Sequence, residues 1–122
     1  TEFCDMYGAY ERLDDGWKRR IAGLRAVHNL DFSRTRRHGE DPMTEAQKRD
    51  TPPVDHPIVR THSETGRKCV FLGDHAESVV GMPYDEGRAL IEELNAAIIH
   101  DDLTYRHRWS PGQLILWDNR CV

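Results

Sequence analysis

The chain has 122 residues, enough for one small domain with a modest core. Its 17 basic and 21 acidic residues leave a net charge of −4, so bulk charge does not draw it to nucleic acid or anionic lipid. No apolar run is long enough to span a membrane, and the three cysteines, Cys4, Cys69 and Cys121, form no CxxC pair, a pattern of reduced thiols in a cytoplasmic protein. The chain opens on Thr1 rather than methionine and stops on an apolar stretch, so both ends read as cuts through a longer protein.

Residues 1–5 finish a strand, and Asp5 is placed to cap a helix from Met6 to about Leu13. Asp14 or Asp15 caps a second helix, read as running to about Val27, because Trp17, Ile21, Leu24 and Val27 keep helical spacing. Trp17 reads as a core anchor. From 28 to 57 there is no clear period, and the stretch reads as an irregular insertion of the kind that serves as a lid. It holds a basic cluster, Arg34, Arg36, Arg37 and His38, and a short helix expected over Pro42 to Arg49.

Two β-rich runs follow, Pro57 to His62 and Lys68 to Leu72, joined by a hairpin loop ending near Gly66. Pro83 opens a third helix to about His100, with Leu90, Ile91, Leu94, Ile98 and Ile99 as its apolar stripe. The last elements read as a hairpin. Thr104 to Trp109 alternates, with Tyr105, His107 and Trp109 on one face. Ser110-Pro111-Gly112-Gln113 has type II turn chemistry, and Gln113 to Trp117 is nearly all apolar, as in a strand covered on both faces. The expected fold is mainly β with helical insertions (α+β), a single incomplete domain over 1–122 with too few strands for a complete sandwich or barrel.

A facial iron site needs two imidazoles and one carboxylate. The run His62-Ser63-Glu64, at the mouth of a hairpin, has the His-x-Glu spacing that puts two ligands on one strand face, and His107 is the best third candidate. Against it stands the ordinary reading of Ser63 to Gly66 as a turn. His75, just past a strand, reads either as a substrate contact or as a hydrogen-bonded surface histidine. His28, His38, His56 and His100 read as structural or exposed. No nucleophile elbow and no phosphate-binding glycine loop is present.

Several runs then point to a family: Thr1-Glu2-Phe3-Cys4-Asp5-Met6, Tyr10 with Leu13, Val59-Arg60-Thr61-His62 with Gly66-Arg67-Lys68, Tyr105-Arg106-His107-Arg108-Trp109, and Trp117-Asp118-Asn119-Arg120-Cys121. From first residue to last, the chain resembles the iron(II)- and 2-oxoglutarate-dependent dioxygenases of the taurine/alkylsulfatase (TauD/TfdA) group. Within it, the chain most resembles the enzymes that cleave 2,4-dichlorophenoxyacetate. The resemblance implies part of a double-stranded β-helix, or jelly roll, with Fe(II), 2-oxoglutarate and O₂ as cofactor and co-substrates. It implies that the metal ligands lie outside these residues, a His-x-Asp before Thr1 and a distal His after Val122, so that this is the interior of the enzyme. Thr1 matches the threonine that bonds the far carboxylate of 2-oxoglutarate, and Trp117 the aromatic near it. His62 and His75 match histidines on the substrate side, which demotes the His62/Glu64/His107 triad. Ser78 stands where phenoxyacetate-cleaving relatives tend to carry a second histidine, and that leaves the substrate open between phenoxyacetates and alkylsulfonates. The implied partner is a small carboxylate, with neither nucleic acid nor membrane, and a homo-oligomer is left open. A non-catalytic anion-binding module using Arg34 to His38 or His75 is the alternative from another class.

Overall fold

The computed structural model describes residues 1–36 and 38–122. Asp5 caps the first helix, α1 (Met6–Arg12), by accepting the N–H groups of Tyr7 and Gly8 at 3.0 and 3.2 Å. Asp14 does the same for α2 (Asp15–Ile21) through Trp17 N–H at 2.7 Å. The helix stops six residues short of Val27. Gly23 takes φ +74°, a left-handed conformation that turns the chain, and Arg25–His28 becomes strand β2. Trp17 is half-buried against the core, with the Arg20 guanidinium 4.8 Å from its ring centroid.

Residues 28–57 contain more regular structure than their pattern suggests: helices α3 (Leu30–Arg36) and α4 (Glu45–Asp50), then strand β3 (Val54–Pro57). Helix α4 carries a capping box, in which Thr44 Oγ1 accepts from Gln47 N–H and Gln47 Oε1 accepts from Thr44 N–H. Strand β2 lies between β3 and β6 (Ala76–Val79) in an antiparallel sheet, with a bulge between Val27 and His28. The hairpin of β4 (Val59–Thr61) and β5 (Lys68–Val70) pairs as expected, with Gly66 at φ +69° in its loop. Strand β1 (Glu2–Cys4) pairs with β7 (Thr104–Arg106) in a third small antiparallel sheet.

Helix α5 (Tyr84–Ile98) buries Leu90, Ile91, Leu94 and Ile98 against a core that includes Met6, Ala9, Leu13, Ile21, Ile58, Val70 and Val79. Ile99, expected on that stripe, is exposed, because the helix ends at Ile98. Backbone bonds from Ile58 N–H to Leu24 carbonyl (2.9 Å) and from Phe71 N–H to Ile58 carbonyl (2.7 Å) tie the segments together.

Two expectations change. Among the described residues the helices hold more of the chain than the strands do, so the fold is mixed α/β with antiparallel sheets rather than mainly β. The closing stretch is not a hairpin. The turn forms, with Gly112 at φ +83° and Gln113 N–H bonded to Ser110 carbonyl at 3.2 Å. Residues 113–117, however, join no ladder, and Leu114 and Leu116 are 80% and 89% exposed. Their apolar pattern fits a covered strand, but no described strand lies alongside them to form a ladder. No described helix is long and apolar enough to cross a membrane, and the three cysteines are unpaired.

Candidate functional site

Strand pairing sets the centre of the candidate site. In the β2–β3 register, Ala26 faces His56 and His28 faces Val54, so His28 and His56 point from the same sheet face. Phe71, just past β5, completes a ring cluster. Its centroid lies 5.3 Å from each of the two imidazoles, which are themselves 5.3 Å apart. These rings, with Leu30, Val54 and His75, line a 320 Å³ cavity, and no carboxylate belongs to its lining. The Arg60 guanidinium sits 4.2 Å from the Phe71 ring centroid.

His75 lies between β5 and β6. Its carbonyl accepts Asn29 N–H at 2.8 Å, which ties it to the entry of α3. Its Nδ1 is 2.6 Å from the hydroxyl of buried Ser33. Ser33 Oγ donates to Leu30 carbonyl at 3.0 Å, so Nδ1 is the donor of the pair and Nε2 is the ring atom left for a ligand.

His28 and His56, read from sequence as structural or exposed, are part of this wall. Nothing near either residue in the chain marks them; the signal is the pairing of two strands. His28 Nε2 is buried with no hydrogen-bond partner among the described residues. Burial, and then the nearby His56, His75 and Arg60, push the His28 pKa down from 6.5 to about 4. The folded chain therefore takes up the His28 proton later than the unfolded chain as pH falls. Between pH 6.5 and about 4 the unfolded state binds more protons, so the folded state loses stability through that window on acidification. Urea unfolding of a His28→Asn variant across this range is expected to show a flatter pH dependence than the parent.

His62 occupies a different setting. It is 6% exposed, and both ring nitrogens are already used. Nδ1 accepts the N–H groups of Glu64 and Thr65, each at 3.3 Å, and Nε2 donates to Asp118 Oδ2 at 3.0 Å. His62 thus holds the β4–β5 loop against the Asp118–Cys121 turn, and it does not line the cavity at His75. Arg120 grips both Asp118 oxygens and also pairs with Glu64 at 3.2 Å. The Arg120 side chain, then its backbone N–H, then His62 hold the Asp118 carboxyl well below the usual carboxylate range.

Glu64 and His107 do not join His62 as a ligand set: Glu64 binds Arg120, while His107 lies between Tyr105 and Gln113. Among the described residues one cluster, His62, Asp118 and Cys121, brings three potential ligand atoms within 4.8 Å of one another. It does not fit a facial iron site. It offers one imidazole where two are needed, and that ring's Nε2 carries the proton given to Asp118 because Nδ1 faces two N–H donors.

Thr1 and Trp117 belong to one aromatic patch. Trp109 Nε1 donates to Thr1 Oγ1 at 2.9 Å, which leaves the threonine proton free to donate, and Thr1 carbonyl accepts His107 N–H at 2.8 Å. Phe3 packs 5.2 Å from Trp117 and 6.5 Å from Tyr105, and Trp117 remains 54% exposed. The basic cluster does not converge. Arg34 pairs with Glu40 at 3.3 Å, the Arg36 guanidinium lies 5.6 Å from the Phe32 ring centroid, His38 is exposed, and Arg37 lies outside the described residues.

The family model "Taurine catabolism dioxygenase TauD, TfdA family" matches residues 1–122. An alpha-ketoglutarate-dependent 2,4-dichlorophenoxyacetate dioxygenase of Cupriavidus pinatubonensis is 47% identical over 122 residues, which are 100% of this chain and 42% of that protein. The crystal structure of AAD-2 in complex with Mn(II) and N-oxalylglycine superposes with a TM-score of 0.89 at 38% identity, covering 98% of this chain and 47% of that one. A taurine dioxygenase structure from Burkholderia xenovorans gives a TM-score of 0.78 at 28% identity, covering 98% of this chain and 37% of that one. The chain therefore spans less than half the length of each of these relatives. With the family pattern matched from Thr1 to Val122, the chain belongs to the TauD, TfdA family of dioxygenases.

Proposed function

We propose that this chain is part of an Fe(II)- and 2-oxoglutarate-dependent dioxygenase that acts on a small carboxylate, cleaving a phenoxyacetate-type ether to a phenol and glyoxylate. The observation that carries this reading is the 47% identity to a 2,4-dichlorophenoxyacetate dioxygenase across every residue of the chain. Iron(II), with 2-oxoglutarate and O₂, would supply the oxidising chemistry. The described residues do not fit the iron, so their part is to bind and orient. Thr1 donates its hydroxyl proton to the far carboxylate of 2-oxoglutarate, and Trp117 shields that group from water. His75, braced by Ser33 through Nδ1–H, binds the substrate carboxylate as an imidazolium, donating Nε2–H to it. His62 acts one step removed, holding the hairpin and Asp118 in place. Residues 28–57 cover the site, since Leu30, Thr51, Val54 and His56 from this segment line the cavity at His75. The finer fold assignment, a portion of a jelly roll, belongs to the same reading and draws on the 0.89 TM-score. A cytoplasmic location goes with the three unpaired cysteines.

A taurine-type activity is the second reading, and the 28% identical taurine dioxygenase structure is what favours it. The test is turnover by the protein at its natural length, supplied with Fe(II), 2-oxoglutarate and O₂. With 2,4-dichlorophenoxyacetate the expected products are 2,4-dichlorophenol, glyoxylate and succinate in equal amounts. Sulfite release from taurine at a higher kcat/KM would move the substrate to the sulfonates, and no 2-oxoglutarate-dependent product from either compound would sink the proposal.

A further inference from the structure

The cavity at His75 is ringed by more aromatic surface than a carboxylate contact requires. His28, His56 and Phe71 form a closed triangle of rings, each pair 5.3 Å between centroids, with interplanar angles of 71°, 30° and 87°. Two of those angles are edge-on arrangements, in which ring edges and faces meet as aromatic groups prefer. The volume, 320 Å³, falls at the lower end of the roughly 300–1,000 Å³ typical of small-molecule pockets. Leu30 and Val54, 41% and 51% exposed, add apolar surface at the same cavity. The charge is one-sided: no Asp or Glu lines the space, while His75 and His56 present ring nitrogens and Arg60 stands beside Phe71. Among the described residues, neither ring nitrogen of His56 bonds the protein. A ligand with a flat apolar body and one negative end matches this lining. A short alkylsulfonate would leave the ring walls without contact.

We infer that His28, His56 and Phe71 form the seat for the aryl ring of an aryloxy carboxylate, with His56 as the residue that favours aryl over alkyl substrates. This rests on the dioxygenase reading for its substrate class and on the cavity for its geometry. The carboxylate is directed to His75, so the ring occupies the wall next to it. His56 comes from β3, whose position is fixed by pairing with β2. Its side chain can therefore change without disturbing the backbone that holds His28.

The experiment uses the natural-length protein and two substitutions. His56→Phe keeps a ring in the wall, and His56→Ala removes it. The expected result for His56→Ala is a KM for 2,4-dichlorophenoxyacetate raised about tenfold, equivalent to the loss of one aromatic contact with its buried area. The KM for 2-oxoglutarate should not move, and kcat should change less than KM. His56→Phe should stay within about threefold of the parent. On addition of 2,4-dichlorophenoxyacetate the imidazole C–H signals of His28 and His56 should shift with the ring current, whereas taurine should leave them in place. Thermal melting of both variants separates misfolding from lost contact. If His56→Ala folds and binds 2,4-dichlorophenoxyacetate as the parent does, the inference is overturned. It is overturned too if turnover persists while the His28 and His56 signals stay fixed, an outcome that leaves the dioxygenase reading intact. Ring-current shifts in a protein that turns over neither phenoxyacetate nor taurine would uphold the seat and reject the dioxygenase reading.

Discussion

A His62→Phe variant is expected to lose about 3 kcal/mol of unfolding free energy, read from the midpoint and slope of a urea titration. Phenylalanine fills nearly the same space, so the loss does not come from a cavity. It comes from hydrogen bonds. The N–H groups of Glu64 and Thr65 lose their acceptor, and Asp118 loses a donor. Orphaning a buried polar group costs about 1–3 kcal/mol, and partial access of the loop to water keeps the total near the lower end of the sum. Asp118 gives this network a pH signature. Its carboxyl is held below the usual 3.8 by the Arg120 side chain first, then by Arg120 N–H and His62. Because the folded value is the depressed one, the stabilisation is fully present above pH 3.8 and is lost as pH falls below it towards the folded value. Asp118→Asn should flatten that acid limb while leaving the neutral-pH fold in place.

The second large effect is expected at Gly87, where Gly87→Ala should destabilise the chain by about 2 kcal/mol despite alanine's better helix propensity. A Cβ built at Gly87 would lie 2.9 Å from Val79 backbone nitrogen and 3.4 Å from Val79 Cβ. Gly87 is buried on α5, facing β6, so the missing side chain is what lets helix and strand approach. Alanine gains about 1 kcal/mol in a helix interior. Forcing an extra carbon into close-packed backbone costs about 1–3 kcal/mol and sometimes more, and here the obstructing atom belongs to a strand that cannot rotate away. The clash therefore wins. A measured gain in stability would show that α5 shifts off β6 freely.

Which parts could be read from the sequence follows from how local each signal is. Helix α5 was legible because Pro83 opens it and its apolar residues keep a 3.6-residue period over four turns. The β4–β5 hairpin was legible through Gly66 and the runs on either side of it. Strand β2 was misread because Leu24 and Val27 happen to continue the spacing of Trp17 and Ile21 across Gly23, and the glycine's conformation, not the period, decides the end. Strand β6, with four residues and no alternation, carries almost no local signal. The stretch from Gln113 to Trp117 shows the opposite failure. It has strand composition, yet a ladder needs a partner, and no described strand runs beside it. The site divides the same way. Thr1 and Trp117 rest on a family resemblance, which also moves His62 and His75, marked by spacing and by a loop end, to the substrate side, whereas the side-by-side placement of His28 and His56 depends on two strands whose pairing no short window displays. His62 also shows that a matching position does not fix a contact: in the fold both of its nitrogens serve the protein.

On the proposed reading two separate places divide the work, the Thr1 patch for 2-oxoglutarate and the His75 cavity for the substrate carboxylate. Steady-state kinetics of Thr1→Val and His75→Ala in the natural-length protein, each varied against both compounds, tests it most directly. A charge-assisted hydrogen bond contributes about 1.5–3 kcal/mol, so each loss should raise the relevant KM by at least roughly tenfold. Thr1→Val should raise the KM for 2-oxoglutarate and leave that for 2,4-dichlorophenoxyacetate unchanged, and His75→Ala should do the reverse. Equal effects of either substitution on both constants, or the opposite pairing, would contradict the division.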